Sequence, residues 1–231
     1  MAKNSILEIC DIIKLYNKNV GIKDISLKIN PKDIVAVIGP NGSGKTTLVR
    51  AIGGLSRIDK GSILLEHNPT FQCRAEIGYM PEELQFYEQM TIAELLEFIC
   101  TVKFSSKYSE EIDRYLKSYN LYTCRNERIS KLSLGMKKKV SIVMALIGNS
   151  KLIILDEPTN GIDTESMIQL KSDLRMCRQQ NKMVILTSHV LDWVENICNR
   201  YIFLKEGKIV GDFSREELSS SLENLYQQLY E

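Results

Sequence analysis

The chain has 231 residues, 44% hydrophobic and 26% charged, which suits a globular protein of one domain, or one domain with a subdomain. Thirty basic against 29 acidic residues leave a net charge of +1, which excludes a global field drawing the chain onto nucleic acid or anionic lipid. Six scattered cysteines (Cys10, Cys73, Cys100, Cys124, Cys177 and Cys198) form no C-x-x-C pair, so they read as small buried residues rather than a zinc site or disulfide framework.

Met1 to Ser5 lack the apolar region of a signal peptide, and the longest apolar candidate, Val140 to Leu155, is interrupted by Gly148-Asn149-Ser150-Lys151. A cytosolic chain is expected. Alternation from Ile6 to Leu15 and again over Ile25 to Ile29 predicts two strands of a hairpin, with Tyr16 between them as a core or turn aromatic. The apolar run Ile34 to Ile38 then leads into Gly39-Pro40-Asn41-Gly42-Ser43-Gly44-Lys45-Thr46-Thr47 and a helical stretch from Leu48. Strand, glycine-rich loop and helix in that order make a phosphate cradle: backbone N–H groups turn inward, and the helix start adds donors and a positive dipole end. Lys45 would supply charge to the outer phosphates, and the Thr46 hydroxyl could ligate magnesium. A bare glycine turn is the bland alternative.

Further strands are expected at Ser62 to Leu65 and at Glu76 to Met80, where Pro81 stops the run. Thr91-Ile92-Ala93-Glu94 matches a capping box, and helical periodicity continues to about Asn149, predicting a helical insertion. Leu152 to Leu155 and Met183 to Thr187 read as strands buried on both faces, with a helix from Thr164 to Gln180 between them. Leu191, Val194, Ile197 and Cys198 mark another helix. Tyr201 to Leu204 and Ile209-Val210 form a hairpin, and Ser214 to Glu217 is a capping box opening terminal helices.

Ligands of open parallel sheets bind at the carboxyl ends of the strands. Three strands here end in suggestive groups: the phosphate loop after Ile38, Asp156-Glu157 after Leu155, and Ser188-His189 after Thr187. Alternation with helices predicts that these ends lie side by side. Asp156 would be costly to bury without a cation, which magnesium on the phosphates provides. Glu157, pointing the other way along an extended segment, could align a water for attack on the terminal phosphate. Solvated acids at a strand end are the alternative. His189 could hold the phosphate or orient Glu157, or it could be structural; His67 reads as a surface residue. Lys137, Lys138 and Lys139 follow Leu132-Ser133-Leu134-Gly135-Met136, with Ser133 a plausible N-cap. A solvated face explains the lysines adequately; a helix start that meets an anion is the sharper reading.

Over essentially the whole chain, from about Ile6 to Tyr230, these motifs resemble the ATP-binding subunit of ABC transporters. Gly39 to Thr47 is similar to Walker A, and Leu152 to Glu157 to Walker B with its glutamate. Leu132 to Met136 falls at the LSGGQ signature, Asn160-Gly161-Ile162-Asp163 at the D-loop, and His189 at the switch histidine. The resemblance implies an α/β P-loop NTPase fold with a mixed-sheet core, an N-terminal antiparallel β subdomain and an inserted helical subdomain. The expected division is 1–84 with 150–231, and 85–149. It also implies that Tyr16 stacks on adenine, and that ATP and Mg2+ are bound. Two departures, L-S-L-G-M in the signature and Glu82 after Tyr79-Met80-Pro81 where the family's Q-loop has glutamine, resemble the branch powering ABC-2-type exporters. Glu82 then falls at a magnesium position.

The family mechanism implies two subunits sandwiching two ATP molecules, with Ser133 and Gly135 of one facing the other's terminal phosphate. It further implies a separately encoded transmembrane permease docked near Glu82 to Tyr87, and a place on the inner face of the cell membrane. Soluble ABC-type ATPases acting on ribosomes or DNA are the second reading, although they usually carry two cassettes or a long coiled-coil insertion. A regulatory subunit without turnover is disfavoured by Glu157 and His189.

Overall fold

The structure, a computed structural model, describes residues 6–17, 20–105 and 108–230. Met1 to Ser5, read above for a signal sequence, lie outside them. Strands β1 (Leu7–Leu15) and β2 (Gly21–Ile29) pair antiparallel, as the alternation predicts. With β4 (Lys60–Leu65) and β5 (Asn68–Pro69) they form a four-stranded sheet in the order β2-β1-β4-β5.

The second sheet has six strands: β3 (Ile34–Ile38), β6 (Ile77–Met80), β7 (Leu152–Asp156), β8 (Met183–Thr187), β9 (Arg200–Lys205) and β10 (Lys208–Ser214). Their order is β10-β9-β3-β8-β7-β6, parallel throughout except for the β9–β10 hairpin. Every residue of β3, β7 and β8 is buried, because both faces of this sheet are covered. On β3, Ile34, Ala36 and Ile38 join the core beneath the helical layer, while Val35 and Val37 face the antiparallel sheet and α1 (Lys45–Ile52).

The helical layer contains α2 (Ile92–Phe104), α3 (Ser109–Ser118), α4 (Leu134–Leu146) and α5 (Thr164–Gln179). Thr91 and Glu94 close both bonds of the capping box at α2. The insertion is tied to the sheet-bound helices through Tyr119, whose fully buried hydroxyl donates to Asp173 on α5 at 2.9 Å. Tyr119→Phe is expected to cost about 1–3 kcal/mol, because a buried carboxylate loses a donor. A urea titration checks this, and an unchanged midpoint would contradict it.

Two helix expectations are corrected. The stretch Leu191 to Cys198 is helical only over α6 (Leu191–Glu195), and the chain leaves the helix before Asn199. Asn199 is needed elsewhere: its amide accepts the Ile34 N–H at 2.6 Å and donates to Asp33 at 3.2 Å, fixing the start of β3. Ser214 caps only a short 3-10 turn, Arg215–Glu217, and the terminal helix α7 (Leu222–Tyr230) begins separately. Four cysteines are buried as expected, but Cys10 is exposed and Cys124 only partly covered; all six are free.

Candidate nucleotide site

The sheet order makes β3, β8 and β7 immediate neighbours, with β8 in the middle. Their carboxyl ends therefore bring the glycine-rich loop, Ser188-His189 and Asp156-Glu157 to one edge. In the loop, a Cβ on Gly39 would lie 2.4 Å from the Leu204 carbonyl oxygen, and Gly44 caps α1 at φ 107°. No acidic residue stands in the first turn of α1, so its N–H donors and dipole face outward without competition. Lys45 reaches back over the loop, its ammonium donating to the carbonyls of Gly39 at 2.8 Å and Pro40 at 3.2 Å. Asn41 and Gly42 form the exposed tip, Ser43 is buried beneath it, and Thr46 and Thr47 are half-buried.

Asp156 is fully buried. Burial pushes its carboxyl upward, hydrogen bonds from Thr187 and Thr46 pull it back, and the charges of Glu82 and Glu157 add to the rise. Thr187 Oγ1 donates to Asp156 Oδ1 at 2.6 Å and accepts the Glu157 N–H at 2.8 Å, locking the two acids together from the neighbouring strand. Thr46 Oγ1 stands 3.5 Å from the same Oδ1. The second oxygen, Asp156 Oδ2, is buried without a hydrogen-bond partner. An orphaned carboxylate oxygen beside a threonine hydroxyl suits a hard divalent cation. Among the described residues no group of three acids, histidines or cysteines forms a metal cage, so such an ion would need phosphate oxygens as well.

Glu157 differs from its expected geometry. Its φ is 51°, so the segment is not extended there, and the side chain is aimed by a left-handed backbone rather than by strand alternation. Its carboxylate Oε2 lies 2.9 Å from His189 Nδ1, and the His189 side chain is 61% exposed while that of Glu157 is 8% exposed. An acid held from behind and a histidine open to the site can together orient a water. Tyr16, next to the antiparallel sheet, is 57% exposed with Lys14 Nζ 5.5 Å above its ring, which leaves ring surface accessible to a stacking base. The reading of Tyr16 as a core residue is thereby excluded.

Ser133 caps α4, accepting the Met136 N–H at 3.2 Å, and Gly135 packs against the backbone of Gly161. Between them Leu134 is 67% exposed. No hydrogen bond among the described residues links this edge to the glycine-rich loop. The solvated-face reading of the three lysines does not hold. Lys137 pairs with Glu88 at 2.9 Å, Lys139 pairs with Asp163 at 2.6 Å, and Lys138 is 7% exposed. The ion pair with Lys139 holds Asp163 well below the usual carboxylate range, and Asp163 itself caps α5. Lys138 shares a buried stripe of α4 with Ser141, Ile142 and Ala145. Burial lowers its ammonium, against the opposing charges of Glu82, Glu157 and Asp156. Glu82 is exposed just beyond β6, and hydrogen bonds to Thr46 or Asp156 are absent among the described residues. Thr187 and Lys138 are the residues that the sequence reading missed. A threonine ending a wholly apolar strand was the available signal for the first, and helical phase with Ser141 and Ala145 for the second.

A family model described as "ABC transporter" matches residues 22–160. The chain belongs to the ABC transporter family. The SkfA peptide export ATP-binding protein SkfE of Bacillus subtilis is similar to this ABC ATPase, 31% identical over 90% of this chain and 88% of its own length. The lipopolysaccharide export system ATP-binding protein LptB of Haemophilus influenzae is 30% identical over 93% and 92%. A solved ATP-binding subunit of an ABC transporter superposes with a TM-score of 0.92 at 26% identity, covering 98% of this chain and 100% of that one. The fold is also that of a dimeric ATP-binding cassette described in a post-hydrolysis state bound to ADP and Pi, with a TM-score of 0.81 at 22% identity over 92% and 100%. The chain is an ATP-binding, ATP-hydrolysing member of this family.

Proposed function

We propose that this ABC ATPase drives export through a separately encoded transmembrane protein, by ATP-dependent closure of two ATPase subunits. The observation that carries the reading is the divided site: loop, acids and histidine share the carboxyl ends of β3, β7 and β8, while Ser133, Leu134 and Gly135 at the start of α4 have no hydrogen bond to that loop among the described residues and leave Leu134 exposed. A second subunit, identical or related, would bring its own Ser133 and Gly135 to the terminal phosphate. The relatives named for peptide and lipopolysaccharide export support the direction of transport. Segment 85–149 would move as the helical unit against 1–84 and 150–231, and the permease would dock near Glu82 to Tyr87. No helix among the described residues is long and apolar enough to cross a membrane, so membrane attachment to the inner face would come from that partner.

In this reading Gly39 to Thr47 cradle the phosphates, Tyr16 stacks on adenine, Glu157 aligns the attacking water, and His189 holds Glu157 and the terminal phosphate. Thr46, Asp156 and Glu82 would hold Mg2+, which supplies charge neutralisation of the phosphates when bound. Purification of the native protein tests the assignment: it should leave membranes together with a transmembrane protein. Recovery alone in the soluble fraction and on ribosomes would overturn it.

In this reading the buried Lys138 ammonium offsets the charges of Glu82, Glu157 and Asp156, and Glu82 adds a carboxylate where the family has an amide. Lys138→Met is expected to lower kcat/KM for ATP about tenfold by leaving the acids unbalanced. Adding Glu82→Gln should then recover part of that loss. A double variant no better than Lys138→Met alone would show that the two charges are not coupled.

A further inference from the structure

Helix α7 brings its last residue to the carboxyl ends of β3 and β9. The Tyr230 hydroxyl lies 3.1 Å from the Ile38 carbonyl oxygen and 2.9 Å from that of Leu204. One proton is shared between two acceptors on adjacent strands, a three-centre bond. Both acceptors matter to the phosphate loop. Ile38 is the last residue before Gly39, and the Leu204 carbonyl is the atom that a Cβ on Gly39 would meet at 2.4 Å. Just beyond Leu204, the Gly207 N–H donates to the Ser43 carbonyl at 2.9 Å, so the β9–β10 turn also supports the loop from below.

The helix is fixed in place by side chains rather than by a single bond. Tyr230 packs on Tyr226 with ring centres 4.4 Å apart and on Phe203 at 6.3 Å. Lys205 Nζ donates to the Leu229 carbonyl at 3.2 Å and stands 5.7 Å from the Tyr230 ring. Leu222 is wholly buried at the other end of the helix.

We propose that Tyr230 is a positioning residue for the phosphate loop, and that α7 is thereby coupled to nucleotide occupancy. The hydroxyl holds the ends of β3 and β9 at the separation that lets Gly39 turn under the phosphates. Coupling of this kind is reciprocal: if an ordered α7 favours nucleotide binding, bound nucleotide must stabilise α7 by the same factor. The inference rests on the reading of Gly39 to Thr47 as the phosphate site.

Two measurements on the full chain test it. Amide hydrogen exchange over residues 222–230 should slow at least about threefold on saturation with ADP, and Tyr230→Phe should abolish that slowing. The same variant should weaken ADP about fivefold, the scale of one hydrogen bond, and raise KM for ATP with little change in kcat. A role confined to folding would lower the melting temperature without touching nucleotide affinity. Exchange over α7 that ignores ADP in the wild-type protein overturns the proposal, as does an unaltered Kd in Tyr230→Phe; the wild-type experiment decides even if the variant fails to fold. A wild-type protein that binds no ADP refutes the phosphate-site reading instead.

Discussion

Glu157→Gln is expected to keep ATP bound while turnover falls by about 10²- to 10⁴-fold, the range of a positioned acid–base group. The amide matches the carboxylate in shape and keeps the backbone bond from Glu157 N–H to Thr187, so the fold of the edge should survive. What disappears is the negative oxygen 2.9 Å from His189 Nδ1, and with it the ability to draw a proton from the attacking water. Phosphate release under single-turnover conditions, run beside nucleotide binding, separates the two effects. Size-exclusion chromatography with ATP should also show a longer-lived dimer for the variant. Turnover at the wild-type rate would remove Glu157 from its role.

Lys45→Ala should weaken nucleotide binding about 10- to 100-fold, since hydrogen bonds to charged groups contribute about 1.5–3 kcal/mol and the ammonium is the loop's full charge. The ammonium now donates to the carbonyls of Gly39 and Pro40; Pro40 is exposed and can turn to water once it is gone, while the buried Gly39 loses one donor, so stability should fall by about 1 kcal/mol. A loss carried by ATP and ADP but not by adenosine would place the missing contact on the phosphates. Equal affinity for wild type and variant in a calorimetric titration would refute the phosphate-cradle reading.

Both substitutions act on residues that the sequence exposes, and the reason is local. A glycine-rich loop between an apolar run and a helix start has to be contiguous to bind phosphate, so Gly39 to Thr47 are readable as a string. The same holds for Asp156-Glu157 at the end of a wholly apolar strand, and for Thr91 and Glu94, whose capping contacts span three residues. Helix ends were less legible. The apolar phase of Leu191 to Cys198 continues past the true end of α6 because Asn199 is recruited by Ile34, 165 residues away. The three lysines misled for a similar cause. Their partners Glu88 and Asp163 lie on other segments, and nothing in a charge run says where those segments will pass.

The sequence by itself therefore determined the candidate chemistry: a glycine-rich loop with the pattern of a phosphate cradle, two acids, a histidine, and a helix start at Ser133 to Gly135 that we propose meets an anion. Hydrophobic period and loop composition are encoded by neighbours within a turn or two, so they survive without a fold. The tertiary structure alone decided how those pieces act on one another. It placed β8 between β3 and β7, so that Thr187 joins Asp156 to Glu157, and it turned Glu157 through a left-handed backbone. It buried Lys138 and brought Tyr230 beneath the loop it follows by nearly the whole length of the chain. These arrangements depend on strand order and helix packing, which are set by contacts between distant residues and leave no periodic trace in the sequence.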